Sequence, residues 1–195
     1  MKLPITRERA IELLKSISWN GQSEMNHYLE SEAIMRKLAE TFGEDADYWG
    51  MLGLLHDIDW GLTKEQVEKH LTLAPEILKK EGFDDEFIHR VVSHGYGFEE
   101  LPELKDKKRE DKIEHSLSAA ETLTGLIHAY ALMRGNKVSD MEVKGLKKKF
   151  KDKAFAAGCN RDIIREIEET GLSLDEFFRL AIDAVKSIKS EVGLE

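Results

Sequence analysis

Apolar residues recur three and four positions apart along almost the whole chain, and no segment alternates residue by residue as a half-buried strand would. Over residues 6–17, Ala10, Ile11, Leu13, Leu14 and Ile17 fall at helical spacing behind Thr6, whose hydroxyl suits an N-cap. A second helix is predicted over residues 23–42, with Ser23 as its cap, Gly43 as its stop, and His27, Ile34 and Leu38 on the inward stripe. Residues 47–56 are apolar almost all round (Tyr48, Trp49, Met51, Leu52, Leu54, Leu55), the pattern of a central helix buried on most of its circumference. A fourth helix is predicted over residues 63–80, with His70, Leu73, Ala74 and Ile77 on one face, and Pro75 implies a break or kink inside it. Residues 84–94 read as a fifth, stopped by Gly95 and Gly97.

A charged loop with Pro102 then leads to a long helix over residues 109–133, whose seam is Ile113, Leu117, Ala120, Thr124, Ile127 and Ala131. Three more helices are predicted over residues 139–150, 160–169 and 173–192. Ser173 with Glu176 three residues on forms a capping box at the last. The expected fold is all-α, a single multi-helix bundle: residues 1–135 form the core, and residues 136–195 form a C-terminal helical extension packed on it.

Composition sharpens this picture. In 195 residues, 29 Lys and Arg face 38 Asp and Glu, a formal charge of −9, which argues against a surface built to grip nucleic-acid phosphates. At 41% hydrophobic residues the chain can bury its own core without staples. The single Cys159 cannot form an internal disulfide, and the N-terminus shows no apolar run of signal-peptide or membrane-span length. A soluble, cytoplasmic protein with no membrane partner is expected.

The candidate chemistry lies in the seven histidines. His56 and Asp57 are adjacent at the end of the most apolar helix, where the backbone can leave the helix and turn two neighbouring side chains toward one ion. Around them the chain offers His27 on the preceding helix, His70 on the following one, His94 at the end of the next, and Glu121 on the long helix. Neutral imidazoles mixed with carboxylates suit a hydrolytic divalent metal.

These residues resemble the HD-domain superfamily of metal-dependent phosphohydrolases, and more narrowly its HDIG-type bacterial and archaeal hydrolases. The signature is His27, then Leu54-Leu55-His56-Asp57-Ile58, then His70, His94 and an acid at Glu121, over about residues 20 to 130. The family's position matching Glu121 is usually aspartate, so the extra methylene here changes its reach. Trp60 and Gly61 stand where some cyclic-dinucleotide phosphodiesterases of the superfamily carry a lysine. The resemblance implies one divalent ion (Mn, Fe, Ni, Co, Zn or Mg) on His27, His56, Asp57 and Glu121. It also implies a second on His70 and His94, with Asp57 as bridge. Such ions polarise a phosphoryl oxygen and activate water toward phosphorus.

Asp57 and Asp59 are the expected catalytic carboxylates, Asp59 as proton carrier or support. Lys69, Arg90 and Trp60 flank the ligands and are candidates for substrate contact. His89 and His115 point to other helix faces, and His128 lies one face-repeat beyond Glu121 as a hydrogen-bonded histidine. Trp19 and Trp49 read as core or cavity wall. Six lysines fall within residues 144–153, read first as the solvated face of a helix. Two functions follow: hydrolysis of a small phosphoester (nucleotide, phosphomonoester or cyclic nucleotide), with no polynucleotide partner, or a non-catalytic metal- or nucleotide-binding module in which Glu121 marks a degraded site.

Overall fold

Helix α3 (Ala46–Leu55) lies at the centre of a computed structural model that describes residues 2–17 and 21–195; Trp19 lies outside them. Its residues from Tyr48 to Leu55 are all buried, and each enclosed leucine contributes about 1.5–3 kcal/mol relative to exposure. Asp45 starts α3 by accepting from the amides of Asp47 and Tyr48. Helices α1 (Arg7–Ile17), α2 (Gln22–Phe42) and the long α7 (Lys112–Met133) pack around it, joined from the other side by α6 (Asp85–Ser93). No strand occurs among the described residues, and the all-α bundle is as the periodicity predicts. All six residues of the predicted α7 seam are buried.

Several element bounds shift, and two of the shifts bear on the site. Helix α2 starts behind Gly21, at φ 123°, rather than at Ser23, because that glycine makes the turn no other residue makes without strain. The predicted helix over residues 63–80 divides into α4 (Trp60–Thr63), a 3-10 turn at Val67–Lys69, and α5 (Ala74–Lys80). Pro75 stands in the first turn of α5, where its missing N–H breaks no hydrogen bond, so it begins a helix and kinks none. The chain reverses just before it at Leu71, which adopts a left-handed φ of 67°.

Beyond α7, helices α8 (Val143–Lys151), α9 (Arg161–Arg165) and α10 (Leu174–Ser187) pack back on the bundle. A 3-10 turn at Glu166–Thr170 follows α9 directly, and both lie on α7, while α10 lies on α2. The Ser173–Glu176 capping box forms as expected, and α7 begins with a second one, Asp111 with Glu114. No helix among the described residues is long and apolar enough to cross a membrane.

Candidate metal centre

The site begins with a glycine. A Cβ on Gly53 would stand 2.6 Å from the Ser31 carbonyl oxygen and 2.9 Å from the Glu32 amide nitrogen, so α2 and α3 meet backbone to backbone only because residue 53 has no side chain. That approach sets His27 of α2 against His56, which caps the C-terminus of α3. The chain leaves the helix there through turns closed by Ile58 N–H to Leu55 and Trp60 N–H to Asp57, with Ile58 fully buried as their anchor. Asp57 thereby faces four imidazoles. Its Oδ2 is 3.5 Å from His56 Nε2 and 3.7 Å from His27 Nε2; its Oδ1 is 3.2 Å from both His70 Nε2 and His94 Nε2.

The other ring nitrogens fix the proton positions. His56 Nδ1 lies 2.8 Å from the Gly53 carbonyl and His94 Nδ1 lies 2.7 Å from the Val91 carbonyl; carbonyls only accept, so both Nδ1 atoms carry hydrogen. His70 Nδ1 meets the Asp59 carboxylate at 2.9 Å, with the same consequence. His27 Nδ1 meets Thr124 Oγ1 at 2.7 Å, and that hydroxyl already donates to the Glu121 carbonyl, so it accepts from His27. In their neutral forms all four rings turn an Nε2 lone pair toward Asp57. Lone pairs gathered on a carboxylate, with His27 and His56 only 3.0 Å apart, repel unless a cation lies among them.

The donors fall into two groups that share Asp57: His27, His56 and Asp57, and Asp57, His70 and His94. The donor set fits a divalent ion in either. Titration behaviour reports the same demand for positive charge. Burial pulls the His70 imidazole down, but Asp57 and Asp59 outweigh it and push it up to about 10. His56 is raised likewise by Asp57 against burial, and the Asp57 carboxyl, although buried, is held well below its ordinary value by His56, His70 and His94. Burial and the neighbouring His56 leave His27 neutral, at about 3.

Glu121 stands beside the cluster, outside both groups of converging donors. It accepts from Thr122 Oγ1 at 2.6 Å, and burial pushes its carboxyl up to about 7. It lines a cavity of about 370 Å³ together with Asp57, Trp60, His70, His94 and Phe98. Trp60 sits edge-on to His70, with ring centroids 5.1 Å apart. Asp59 is fully buried behind His70. Its second oxygen accepts from the amides of Leu73 and Ala74, so one carboxylate orients a ring and starts α5.

The structure does not bring Lys69 or Arg90 to the cavity. Lys69 is exposed on the 3-10 turn, while the Arg90 guanidinium is engaged by Glu86 at 2.7 Å and by the Tyr48 hydroxyl. His89 pairs with Glu114, His115 with Glu166 and His128 with the buried Glu30, each away from Asp57. Two supports carry no mark in the sequence. Thr124 falls on the predicted apolar seam of α7, yet it fixes the His27 tautomer. Arg109 donates to the carbonyls of Ser93, His94 and Tyr96 and binds Glu166 through two nitrogens. An arginine at the start of the predicted long helix, beside a loop full of charges, carries no signal of that role.

An all-α bundle whose buried central helix ends in a His-Asp pair ringed by histidines is the architecture of an HD domain. The HD-domain family model matches residues 25–121, and the chain belongs to this superfamily of metal-dependent phosphohydrolases. Among curated proteins it is similar to Ribonuclease Y of Pseudothermotoga lettingae, 26% identical over 174 residues covering 88% of this chain and 33% of that protein. Ribonuclease Y of Thermotoga maritima is 29% identical over 180 residues (88% and 33%), and that of Sulfurovum sp. 24% over 192 residues (95% and 36%). The chain thus spans about one third of the length of the curated relatives it matches. No solved structure matches it. These names overturn the expectation of a small phosphorylated partner and no polynucleotide, since the relatives are named for action on RNA. A net charge of −9 sums the whole surface and does not describe the field at one groove.

Proposed function

We propose that this chain is a metal-dependent phosphohydrolase that cleaves phosphodiester bonds in a single strand of RNA. The observation that carries this reading is the convergence of four imidazole Nε2 atoms on Asp57. His27, His56 and Asp57 would hold one ion, with Glu121 able to complete that group, and Asp57, His70 and His94 would hold the other. A bound divalent ion supplies a Lewis acid for phosphoryl oxygens and brings a water's pKa toward neutrality. The chain's own residues do the rest. Asp57 stays ionised and bridges the two groups, Asp59 fixes the His70 ring, and Thr124 fixes His27.

A strand, rather than a mononucleotide, is favoured by the continuity of the groove. Phe98 and Glu121 line both the cavity beside Asp57 and a second of about 240 Å³ that includes His27 and Cys159; His27 and Thr124 continue into a third beside His128. Trp60 and Phe98 offer faces on which bases stack. Residues 136–195 serve as an extension that closes one wall of the groove at Gly158, Cys159 and Asn160.

The test is a screen of the purified chain with Mn, Ni, Co and Mg against an RNA oligonucleotide, nucleotides, a cyclic nucleotide and a generic phosphodiester. Metal-dependent RNA cleavage, lost in a folded Asp57→Ala variant, is the expected result. A metal-loaded chain inert to the whole panel would support the second reading, a binding module without turnover, which Glu121 in place of the usual aspartate favours.

A further inference from the structure

We infer that the lysine face of α8 and the loop after it form a phosphate-binding track that guides a nucleic acid strand into the groove beside Asp57. The inference rests on the proposed action on a strand and adds where that strand lies. Lys144, Lys148, Lys151 and Lys153 are all exposed. Among the described residues no carboxylate comes within ion-pairing distance of any of them, whereas Lys147 on the same helix is paired with Asp175 at 2.7 Å. In a chain of net charge −9, four lysines without partners on one short segment are a local reversal of sign. Lysines in the last turn do suit the helix dipole, but that favours charge near the last turn only and does not account for Lys144 or Lys153.

Position gives the patch its meaning. Leu146 and Phe150 bury the opposite face of α8, so the lysines are directed outward. The single guanidinium of Arg161 then gathers the carbonyls of Phe150, Asp152, Phe155, Ala156 and Cys159. One side chain therefore ties the end of the lysine helix to the residue that walls the groove next to His27 and Glu121. Away from the metal groups the groove presents Glu100, a carboxylate that repels phosphate. The lysines, on the segment that Arg161 ties to the groove wall, add attraction along the strand beyond the reach of the ions, and they grip backbone without reading bases.

The experiment measures anisotropy of a fluorescent 12-nucleotide single-stranded RNA titrated with the full chain at several salt concentrations. The same measurement is made on the quadruple Lys144→Gln, Lys148→Gln, Lys151→Gln, Lys153→Gln variant and on its all-arginine counterpart. The glutamine variant is expected to bind at least tenfold more weakly, with a log Kd against log salt slope smaller by about 3, since each lost contact on a single strand removes about 0.7. The arginine variant should keep the affinity, and Mn-dependent hydrolysis of bis(p-nitrophenyl) phosphate, which is too short to reach the track, should be equal in all three. Unchanged affinity and slope in the glutamine variant would overturn the track. So would wild-type binding to phosphatidylserine vesicles with none to RNA. If the lysines govern RNA binding while no RNA is cleaved, the track stands and the hydrolytic reading falls; cleavage with lysine-independent binding gives the converse.

Discussion

His27 and His56 face one another Nε2 to Nε2 at 3.0 Å, although one lies in the second turn of α2 and the other ends α3. Each is held by its far nitrogen, His27 on Thr124 of α7 and His56 on the Gly53 carbonyl of its own helix. Three helices therefore contribute to aiming two lone pairs at one point. In the metal-free protein a proton on His56 bridges the pair, and a divalent ion takes that proton's place when it binds.

Thr124→Val removes the acceptor that fixes His27 while keeping the buried volume. The ring is then free to place its proton on Nε2, where it blocks metal. Metal affinity should fall by about 10–100-fold, the usual effect of losing a supporting partner behind a ligand. Isothermal titration with Mn and Ni checks this, and Thr124→Ser, which keeps the hydroxyl, should retain most of the affinity. Equal affinity in the valine variant would show that the His27 tautomer is set elsewhere.

Metal binding should release protons. With His70 raised to about 10, and His56 raised by Asp57, the metal-free site holds at least one proton at pH 7 that a ligand must shed. Titrations in buffers of different ionisation enthalpy should give at least one proton released per chain at pH 7. The number falls as pH rises through 10 and His70 loses its proton beforehand. A heat independent of buffer would contradict the charged state assigned to His70.

Much of this was legible because helices make spacing into direction. Spacing offers His27, His56, Asp57, His70, His94 and Glu121 on faces or ends of successive helices, and the resemblance joins them into one ligand set; the structure gathers the first five and leaves Glu121 beside them. Pro75 made a break legible but not its place over residues 64–73, since a proline reads the same whether it interrupts a helix or begins one. The sequence leaves Asp59 open as a support, a proton carrier or a surface-loop acid, because its partners, the His70 ring and two amides of α5, are brought to it only by that break. Charge misled for a different reason: the cluster of lysines over residues 144–153 is plain in the sequence, but only the fold shows that Lys144, Lys148, Lys151 and Lys153 have no carboxylate partner among the described residues.

Gly53→Ala tests the helix contact on which the site depends. Its methyl would enter the Ser31 carbonyl at 2.6 Å, backbone that cannot step aside as a side chain could. Overpacking of this kind should cost about 1–3 kcal/mol, read as a lowered urea midpoint with unchanged m-value. The same shift should weaken metal binding, because α2 moves His27 away from His56. Gly97→Ala, with no atom near its Cβ but a φ of 79°, serves as a control that strains backbone without touching α2.

Glu166→Gln addresses the link between the C-terminal turn and the His94 segment. Burial pushes the Glu166 carboxyl up, but Arg109 and His115 donate into it and hold it below its ordinary value. A carboxyl with a depressed folded pKa stabilises the fold fully above its unfolded pKa, about 4.3, and that stabilisation is lost as pH falls through the folded value. At pH 7 the wild type should therefore exceed the glutamine variant by about 1–3 kcal/mol, the worth of hydrogen bonds to a charged group. The gap should hold down to about pH 5 and close below pH 4, where the wild-type carboxyl takes up its proton. Urea unfolding of both proteins across pH 3 to 8 measures it. A gap that persisted unchanged at pH 3 would mean that glutamine disturbs packing rather than charge. Because Arg109 also holds the Ser93, His94 and Tyr96 carbonyls, the same substitution should loosen His94 and lower metal affinity at pH 7 without touching any ligand.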